Sequence, residues 1–327
     1  MILTVTPNPS LDRTYEVPSL DRGQVVRAGA DRLDPGGKGV NVSRAVAAAG
    51  VRTTALLPLG GAAGTLLAEL LGAQGVDVTA VSISGRTRSN VALVEPDGTL
   101  TKINAPGPEI SPQESALLLD TVRTCAGHPD WIACCGSLPP GLDPRWYADL
   151  VARAHEAGAR VALDTSGPAL LAALTAGPEV VKPNATELAE AVGRPLDTLA
   201  DAVKAAEELC SLGAGAVLAS LGADGQLLVC AEGTFYGTAP ARAVRSDVGA
   251  GDAALAGFLI AGGSGPQALA SALAHGAAAV QLPGSSMPTP AQLRPDEVRV
   301  TEDLPLDLVL RPSGGAATTA RSSASNR

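Results

Sequence analysis

The feature that most limits the fold is an alternation along most of the chain: short apolar runs rich in β-branched residues are followed by longer Ala/Leu-rich stretches of helical period. Ile2 to Thr6 reads as a strand, Gly39 to Ala49 as a helix, Thr53 to Leu59 as a strand, and the region around Thr65 to Ala73 as a helix. Trp131 to Cys135, Arg160 to Asp164, Glu179 to Lys182, Ala216 to Ser220 and Leu227 to Cys230 read as further strands. Helices are predicted near Pro144 to Ala157, Pro168 to Ala176, Ala185 to Ala191 and Asp197 to Leu212. Repeated strand and helix units predict an α/β chain whose mostly parallel central sheet is covered on both faces. Ligands in such sheets gather at the carboxyl ends of strands, so the loops after strands are where chemistry is expected.

Two segments break the rhythm. Thr14 to Leu33, and Thr87 to Ile103 with its turn Pro96-Asp97-Gly98, carry polar and apolar alternation instead. They predict a small separate sheet, either a lid over the main one or an edge hairpin. Bounds of about 12–33 and 87–104 follow, within a single unit spanning 1–311. Residues 312–327 are rich in Ser, Ala, Gly and Thr and are expected to form a disordered tail. From Ala253 to Leu293 there is no Asp, Glu, Lys or Arg, yet Gly262-Gly263-Ser264-Gly265-Pro266 cuts the stretch into pieces shorter than the roughly 20 residues of a membrane span. Two buried helices are expected there.

Composition narrows the partners. The 327 residues carry a formal charge of −9 with only two Phe, two Trp and three Tyr, so neither a basic footprint nor a stacking surface for nucleic acid is present. Cys125, Cys134, Cys135, Cys210 and Cys230 form no CxxC framework, and Cys134 and Cys135 are expected on opposite faces of a strand. With no basic leader or cleavage pattern at the N-terminus, a reduced cytoplasmic setting is expected, without a membrane partner. His128, His155 and His275 lack metal-ligand spacing and read as packed or solvated side chains.

Four local motifs carry possible chemistry. Ser246-Asp247-Val248-Gly249-Ala250-Gly251-Asp252 runs into an apolar helix. Its small residues let N–H groups converge at a helix N-terminus, where an anion such as a transferring phosphoryl group is favoured. Asp252 then faces that anion as a proton acceptor, or is an ordinary first-turn residue. Pro35-Gly36-Gly37-Lys38-Gly39-Val40-Asn41 sets a cation among flexible backbone donors but does not fit the P-loop spacing; it suits a phosphorylated substrate or a plain turn. Lys182-Pro183-Asn184-Ala185-Thr186-Glu187 offers two oxygen donors for Mg²⁺, or a capping pair. Ser220-Leu221-Gly222-Ala223-Asp224-Gly225 passes under nucleotide phosphates or forms a hairpin turn.

Taken in order, Thr6-Pro-Asn-Pro-Ser-Leu-Asp12, Gly36-Gly-Lys-Gly-Val-Asn41, Thr87-Arg-Ser-Asn90, Gly136-Ser-Leu-Pro-Pro-Gly141, Lys182-Pro-Asn-Ala-Thr-Glu187, Ser220-Leu-Gly222 and Val248-Gly-Ala-Gly-Asp252 resemble the PfkB branch of the ribokinase-like sugar kinases. The likeness spans about residues 1–310 and is nearest to the bacterial 1-phosphofructokinase group, with tagatose-6-phosphate kinases and minor 6-phosphofructokinases as neighbours. It implies a three-layer α/β/α sandwich with a small β-sheet lid, and ATP- and Mg²⁺-dependent phosphorylation of fructose 1-phosphate to fructose 1,6-bisphosphate. Fructose 6-phosphate and tagatose 6-phosphate are the alternative substrates, and a non-catalytic sugar-phosphate sensor is the alternative of another class.

By position, the resemblance makes Asp252 the catalytic base and Gly249, Ala250 and Gly251 the anion hole. Asp12, Gly37 and Asn41 grip sugar hydroxyls. Lys38 and Arg88, helped by Asn90 or Ser137, bind the phosphate already on the substrate; two cations with no anionic partner of their own would suit such a ligand. Asn184 and Glu187 organise Mg²⁺, partly through water. Ser220, Gly222 and Gly225 line the ATP site, with Gly276 near adenine. Asp247 departs from the family's usual Thr, leaving either a carboxylate that repels phosphate or one that points outward. A homodimer through the lid is a further expectation.

Overall fold

The computed structural model describes residues 1–125 and 129–311. The tail expected over 312–327 and His128 lie outside the described residues. Among the described residues fourteen strands form two sheets. The larger contains β1 (Ile2–Val5), β4 (Thr53–Leu59), β5 (Asp77–Ser82), β8 (Trp131–Cys135), β9 (Arg160–Asp164), β10 (Val180–Val181), β11 (Val217–Ser220), β12 (Gln226–Cys230), β13 (Gly233–Thr238) and β14 (Arg299–Thr301), in the order β14-β13-β12-β11-β10-β9-β8-β1-β4-β5. From β11 to β5 every pairing is parallel, and β12 to β14 close one edge antiparallel. The sheet is therefore mostly parallel, as the alternation predicts.

Helices cover both faces. α1 (Lys38–Ala48), α2 (Gly61–Gly72), α8 (Ala250–Ile260) and α9 (Gly265–Ala279) pack on one side. On the other lie α3 (Pro112–Thr124), α4 (Trp146–Glu156), α5 (Gly167–Leu174), α6 (Ala185–Val192) and α7 (Leu199–Ser211). The two-residue period of β8 separates the layers: Cys134 belongs to the core under α3 to α7 and Cys135 to the core under α1, α8 and α9. Both are buried and all five cysteines are free thiols. The charge-free stretch resolves into α8 and α9, whose buried faces carry Leu255, Phe258, Leu269 and Leu273. No helix among the described residues is long and apolar enough to cross a membrane.

The second sheet has the order β3-β2-β6-β7, built from β2 (Ser10–Glu16), β3 (Ala30–Gly36), β6 (Arg88–Val94) and β7 (Leu100–Ile103). β6 and β7 form the hairpin expected around Asp97, whose carboxylate accepts the Thr99 N–H at 2.9 Å while Gly98 takes φ 88°. The first segment reaches further than expected at both ends, because β2 pairs parallel with β6 from Ser10 onward and antiparallel with β3 up to Gly36. That register sets Asp12 opposite Asn90 and hands the chain from the small sheet directly into α1.

Candidate active site

Parallel strands all present their carboxyl ends to one edge, and β1, β8, β9, β10 and β11 deliver Thr6, Gly136, Asp164, Lys182 and the Ser220 turn there. α1 and α8 begin at the same edge. Gly37 is the N-cap of α1 at φ 119°, and a Cβ there would meet the Thr6 methyl at 2.9 Å. Gly249 is the N-cap of α8 at φ 80°, a left-handed conformation that favours glycine.

Asp252 sits in the first turn of α8 and is 8% exposed. Asn41, one turn into α1, donates its Nδ2 to Asp252 Oδ2 at 2.8 Å. Burial and the neighbouring Asp164 carboxylate push the Asp252 carboxyl from its ordinary 3.8 up to about 6, against the pull of Lys182, the Asn41 bond and Lys38. At the start of α8 the Ala250 N–H donates to the Asp247 carbonyl at 3.3 Å, while those of Gly249 and Gly251 meet no acceptor among the described residues. Asp247 itself is exposed, and its backbone carbonyl is the part that the start of α8 engages.

Beside this pair lies a buried charge cluster. Asp164, fully buried at the end of β9, accepts from Lys38 Nζ at 2.7 Å and faces Lys182 Nζ at 2.9 Å, an ion pair too poorly aligned for a hydrogen bond. Burial pushes its pKa up, but the two lysines outweigh that and hold the carboxyl below its ordinary range. Lys38 also donates to Glu187 Oε1 at 3.1 Å. A methyl on Gly251 would lie 3.2 Å from Lys182 Nζ, so that ammonium borders the N-terminus of α8.

This corrects one expectation. Lys38 is not a cation without a partner waiting beside Arg88: two carboxylates claim it, and it stands with Asp164 and Glu187. Arg88 fits the description alone. It has no ion pair among the described residues, and it donates to the carbonyls of Ala105 at 2.8 Å and Asn8 at 2.9 Å. Its Nε is buried without a partner. The guanidinium borders an open cleft of about 880 Å³ whose wall also includes Arg86, Thr87, Pro108 and Ser111.

Asp12 and Asn90 meet as the register requires, with Asn90 Nδ2 donating to Asp12 Oδ1 at 2.9 Å and Ser10 Oγ to the same oxygen at 2.6 Å. Gly36 is necessary here, because a Cβ would stand 2.2 Å from Asp12 Oδ2. Ser137 lies within 3.4 Å of Asn8 Nδ2. Asn41, expected at sugar hydroxyls, has both ends of its amide engaged by protein.

Asn184 and Glu187 form the capping box of α6: Asn184 Oδ1 accepts the Glu187 N–H and Glu187 Oε2 accepts the Asn184 N–H, each at 2.9 Å. Both Glu187 oxygens are thus engaged, one by backbone and one by Lys38, but each keeps a second lone pair. The pair fits a divalent ion held through water better than one held directly. Among the described residues no three His, Cys, Asp or Glu side chains cluster to hold a metal.

Ser220 ends β11, and Gly222 (φ 63°) and Gly225 (φ 102°) make the turn into β12, which is the hairpin reading of that motif. A bridge from Asn184 to Ser220 brings the two loops together. Gly276 is buried inside α9, where a Cβ would lie 3.4 Å from both Ala254 Cβ and Gln226 Nε2. Sequence reasoning gave no role to Asp164, Lys182 or Arg44; for Asp164 and Lys182 the available signal was a polar residue closing an apolar strand, while Arg44, inside α1, offered none. His155 meets Glu179 at 3.2 Å, and His275 is buried with Nδ1 2.8 Å from the Ser271 carbonyl, so both read as structural.

The profile of the pfkB family carbohydrate kinases matches residues 7–292. A 1-phosphofructokinase of Rhodobacter capsulatus is 42% identical over 262 residues, covering 79% of this chain and 82% of its own, and one of Haloferax volcanii is 41% identical over 80% and 84%. Phosphofructokinase-2 from Escherichia coli, solved in complex with potassium, superposes with a TM-score of 0.84 at 34% identity, covering 89% of this chain and 96% of its own.

Proposed function

The chain belongs to the pfkB family of carbohydrate kinases, and from that premise we propose that it transfers the terminal phosphoryl group of ATP to the free primary hydroxyl of fructose 1-phosphate, giving fructose 1,6-bisphosphate and ADP. The likeness to 1-phosphofructokinases over four-fifths of the chain supports the choice of acceptor. The observation that carries the chemistry is the Asn41–Asp252 pair at the open N-terminus of α8.

Phosphoryl transfer asks the protein mainly to position groups and neutralise charge. In this reading Arg88, aided by Asn90 and Ser137, takes the phosphate on C1, for which a guanidinium fork is suited. Asp12 accepts from sugar hydroxyls while Ser10 and Asn90 fix its carboxylate, and the backbone at Gly37 meets another hydroxyl. The acceptor hydroxyl gives its proton to Asp252 as its oxygen bonds to the γ-phosphorus and the bridging bond to ADP breaks. A carboxylate held near 6 is ionised at neutral pH yet basic enough to take that proton. The N–H groups of Gly249 and Gly251, with the small Ala250 between them, receive the negative charge of the transferring group.

The nucleotide lies along Ser220, Gly222 and Gly225 toward Gly276, with Lys182 and Lys38 near its phosphates. Asn184 and Glu187 would hold Mg²⁺ through water, where it would supply charge neutralisation for the phosphate oxygens. The small sheet serves as the lid that brings Arg88, Asn90 and Asp12 over the cleft. Its exposed Leu100 and Ile103 support pairing of two copies through it, which light scattering checks: monomer alone at working concentration rejects the pairing.

The test of the substrate is a coupled ADP-release assay with fructose 1-phosphate, fructose 6-phosphate and tagatose 6-phosphate. The highest kcat/KM is expected for fructose 1-phosphate. A higher value for either of the others reassigns the acceptor, and no ATP-dependent product from any of them leaves a binding protein.

A further inference from the structure

We propose that Arg44 is a positioning residue for the reaction, fixing the Asn41 amide so that its nitrogen, rather than its oxygen, faces Asp252. The inference rests on the reading of Asp252 as the base. Arg44 lies one turn beyond Asn41 on the same face of α1, and its NH1 donates to Asn41 Oδ1 at 3.1 Å. An amide presents an acceptor at one end and two donors at the other, so a cation committed to the oxygen dictates where the NH₂ points. Here it points at Asp252 Oδ2. Turned over, the amide would set its oxygen against a carboxylate and leave the guanidinium facing an NH₂, two repulsions in one buried site.

Arg44 is itself held firmly and at some expense. It is 7% exposed and forms no ion pair among the described residues. Its acceptors are Gln74 Oε1 at 2.7 Å on Nε, and Ser285 Oγ at 3.2 Å and the Pro35 carbonyl at 3.5 Å beside Asn41 on NH1. Burial lowers its pKa, and no carboxylate is bonded to it in return. A buried guanidinium satisfied only by neutral oxygens contributes little to stability that an apolar side chain would not. What it does supply is orientation, because its fork spans the turn after α2, the end of β3, α1 and the loop at Ser285. No donor among the described residues reaches Asp252 Oδ1, which leaves that oxygen for the acceptor hydroxyl.

The consequence is readable in the pH dependence of turnover. The groups that face Asp252 are Asp164 from β9, Lys182 after β10, Lys38, Asn41 and Arg44 from α1, and Cys135 from β8. Of these, Asn41 alone donates a hydrogen bond to the carboxylate. Releasing its amide removes a donor that favours the ionised form, so the acid limb of kcat moves to higher pH.

Steady-state kinetics across pH on Arg44→Met and Gln74→Leu test this, with Asp252→Asn measured alongside. For Arg44→Met a fall in kcat of about 10–100-fold is expected, with KM for both substrates changed less than about 3-fold and the acid limb shifted upward. Arg44→Lys should recover only part of the loss, and adding Asn41→Ala to Arg44→Met should cost less than Asn41→Ala alone. Gln74 is exposed, so Gln74→Leu keeps the question answerable if Arg44→Met does not fold; a smaller loss with the same direction of shift is expected. Folded variants whose acid limb stays in place overturn the inference while Asp252→Asn remains inactive. An active Asp252→Asn instead overturns the reading beneath it.

Discussion

Lys38 Nζ lies 2.7 Å from the carboxylate of Asp164, a residue with no exposed surface, and this pairing divides the cations of the site into two groups. Arg88 stands at an open cleft bordered by Arg86, Thr87, Pro108 and Ser111, with no ion pair among the described residues. Lys38 and Lys182 stand together around Asp164, with Glu187 of α6 and the N-terminus of α8 beside them.

From that division, Lys38→Met should affect the nucleotide more than the sugar. KM for ATP is expected to rise about 10-fold or more, with a fall in kcat, while KM for fructose 1-phosphate moves less than about 3-fold. Initial-rate kinetics with each substrate varied in turn check it. A selective rise in the sugar-phosphate KM would return Lys38 to the role its motif first suggested.

Arg88→Met should do the reverse. Charge-assisted hydrogen bonds to an ionised group contribute about 1.5–3 kcal/mol, so KM for the sugar phosphate should rise about 10–100-fold with KM for ATP nearly unchanged. The same kinetic series reads both variants.

The raised Asp252 pKa has two consequences of definite sign. A base must be ionised, so log kcat/KM, which follows the ligand-free site, falls with a slope of one as pH drops through about 6. Asp164→Asn removes a neighbouring negative charge and frees two lysines, so in that variant the limb moves to lower pH. For stability, a carboxyl whose folded pKa exceeds its unfolded value favours the fold below about pH 4 and loses that contribution as pH rises through about 6. The difference between 3.8 and about 6 is worth about 3 kcal/mol at 1.4 kcal/mol per unit. Asp252→Asn should therefore be more stable than the parent chain at pH 7.5 by up to about that amount, and the gain should vanish near pH 4. Chemical denaturation at the two pH values measures it.

Much of this architecture is legible in the amino-acid order, for local reasons. β4, β8 and β9 fall where their apolar runs lie, because a strand buried on both faces needs nothing but such a run. β5 (Asp77–Ser82) escapes, since an edge strand with exposed Asp77, Ala80 and Ser82 carries little apolar signal. α3 escapes too, although Ser111 and Glu114 form a capping box that announces it. In the site, glycine runs and Asp252 are readable because each motif is contiguous. The Asp164 cluster is not, because Lys38, Asp164, Lys182 and Glu187 come from four elements and meet only when the strand ends are aligned. Asn184 and Glu187 show the limit of spacing alone, which suits a helix cap and a water-held ion equally.

The account stands most directly on Asp252→Asn assayed with ATP and fructose 1-phosphate at pH 7.5. A fall in kcat of about 10²–10⁴-fold with both KM values within a few-fold of the parent is the predicted result. Turnover close to that of the parent chain would contradict it, since the side chain would then have no part in taking the hydroxyl proton.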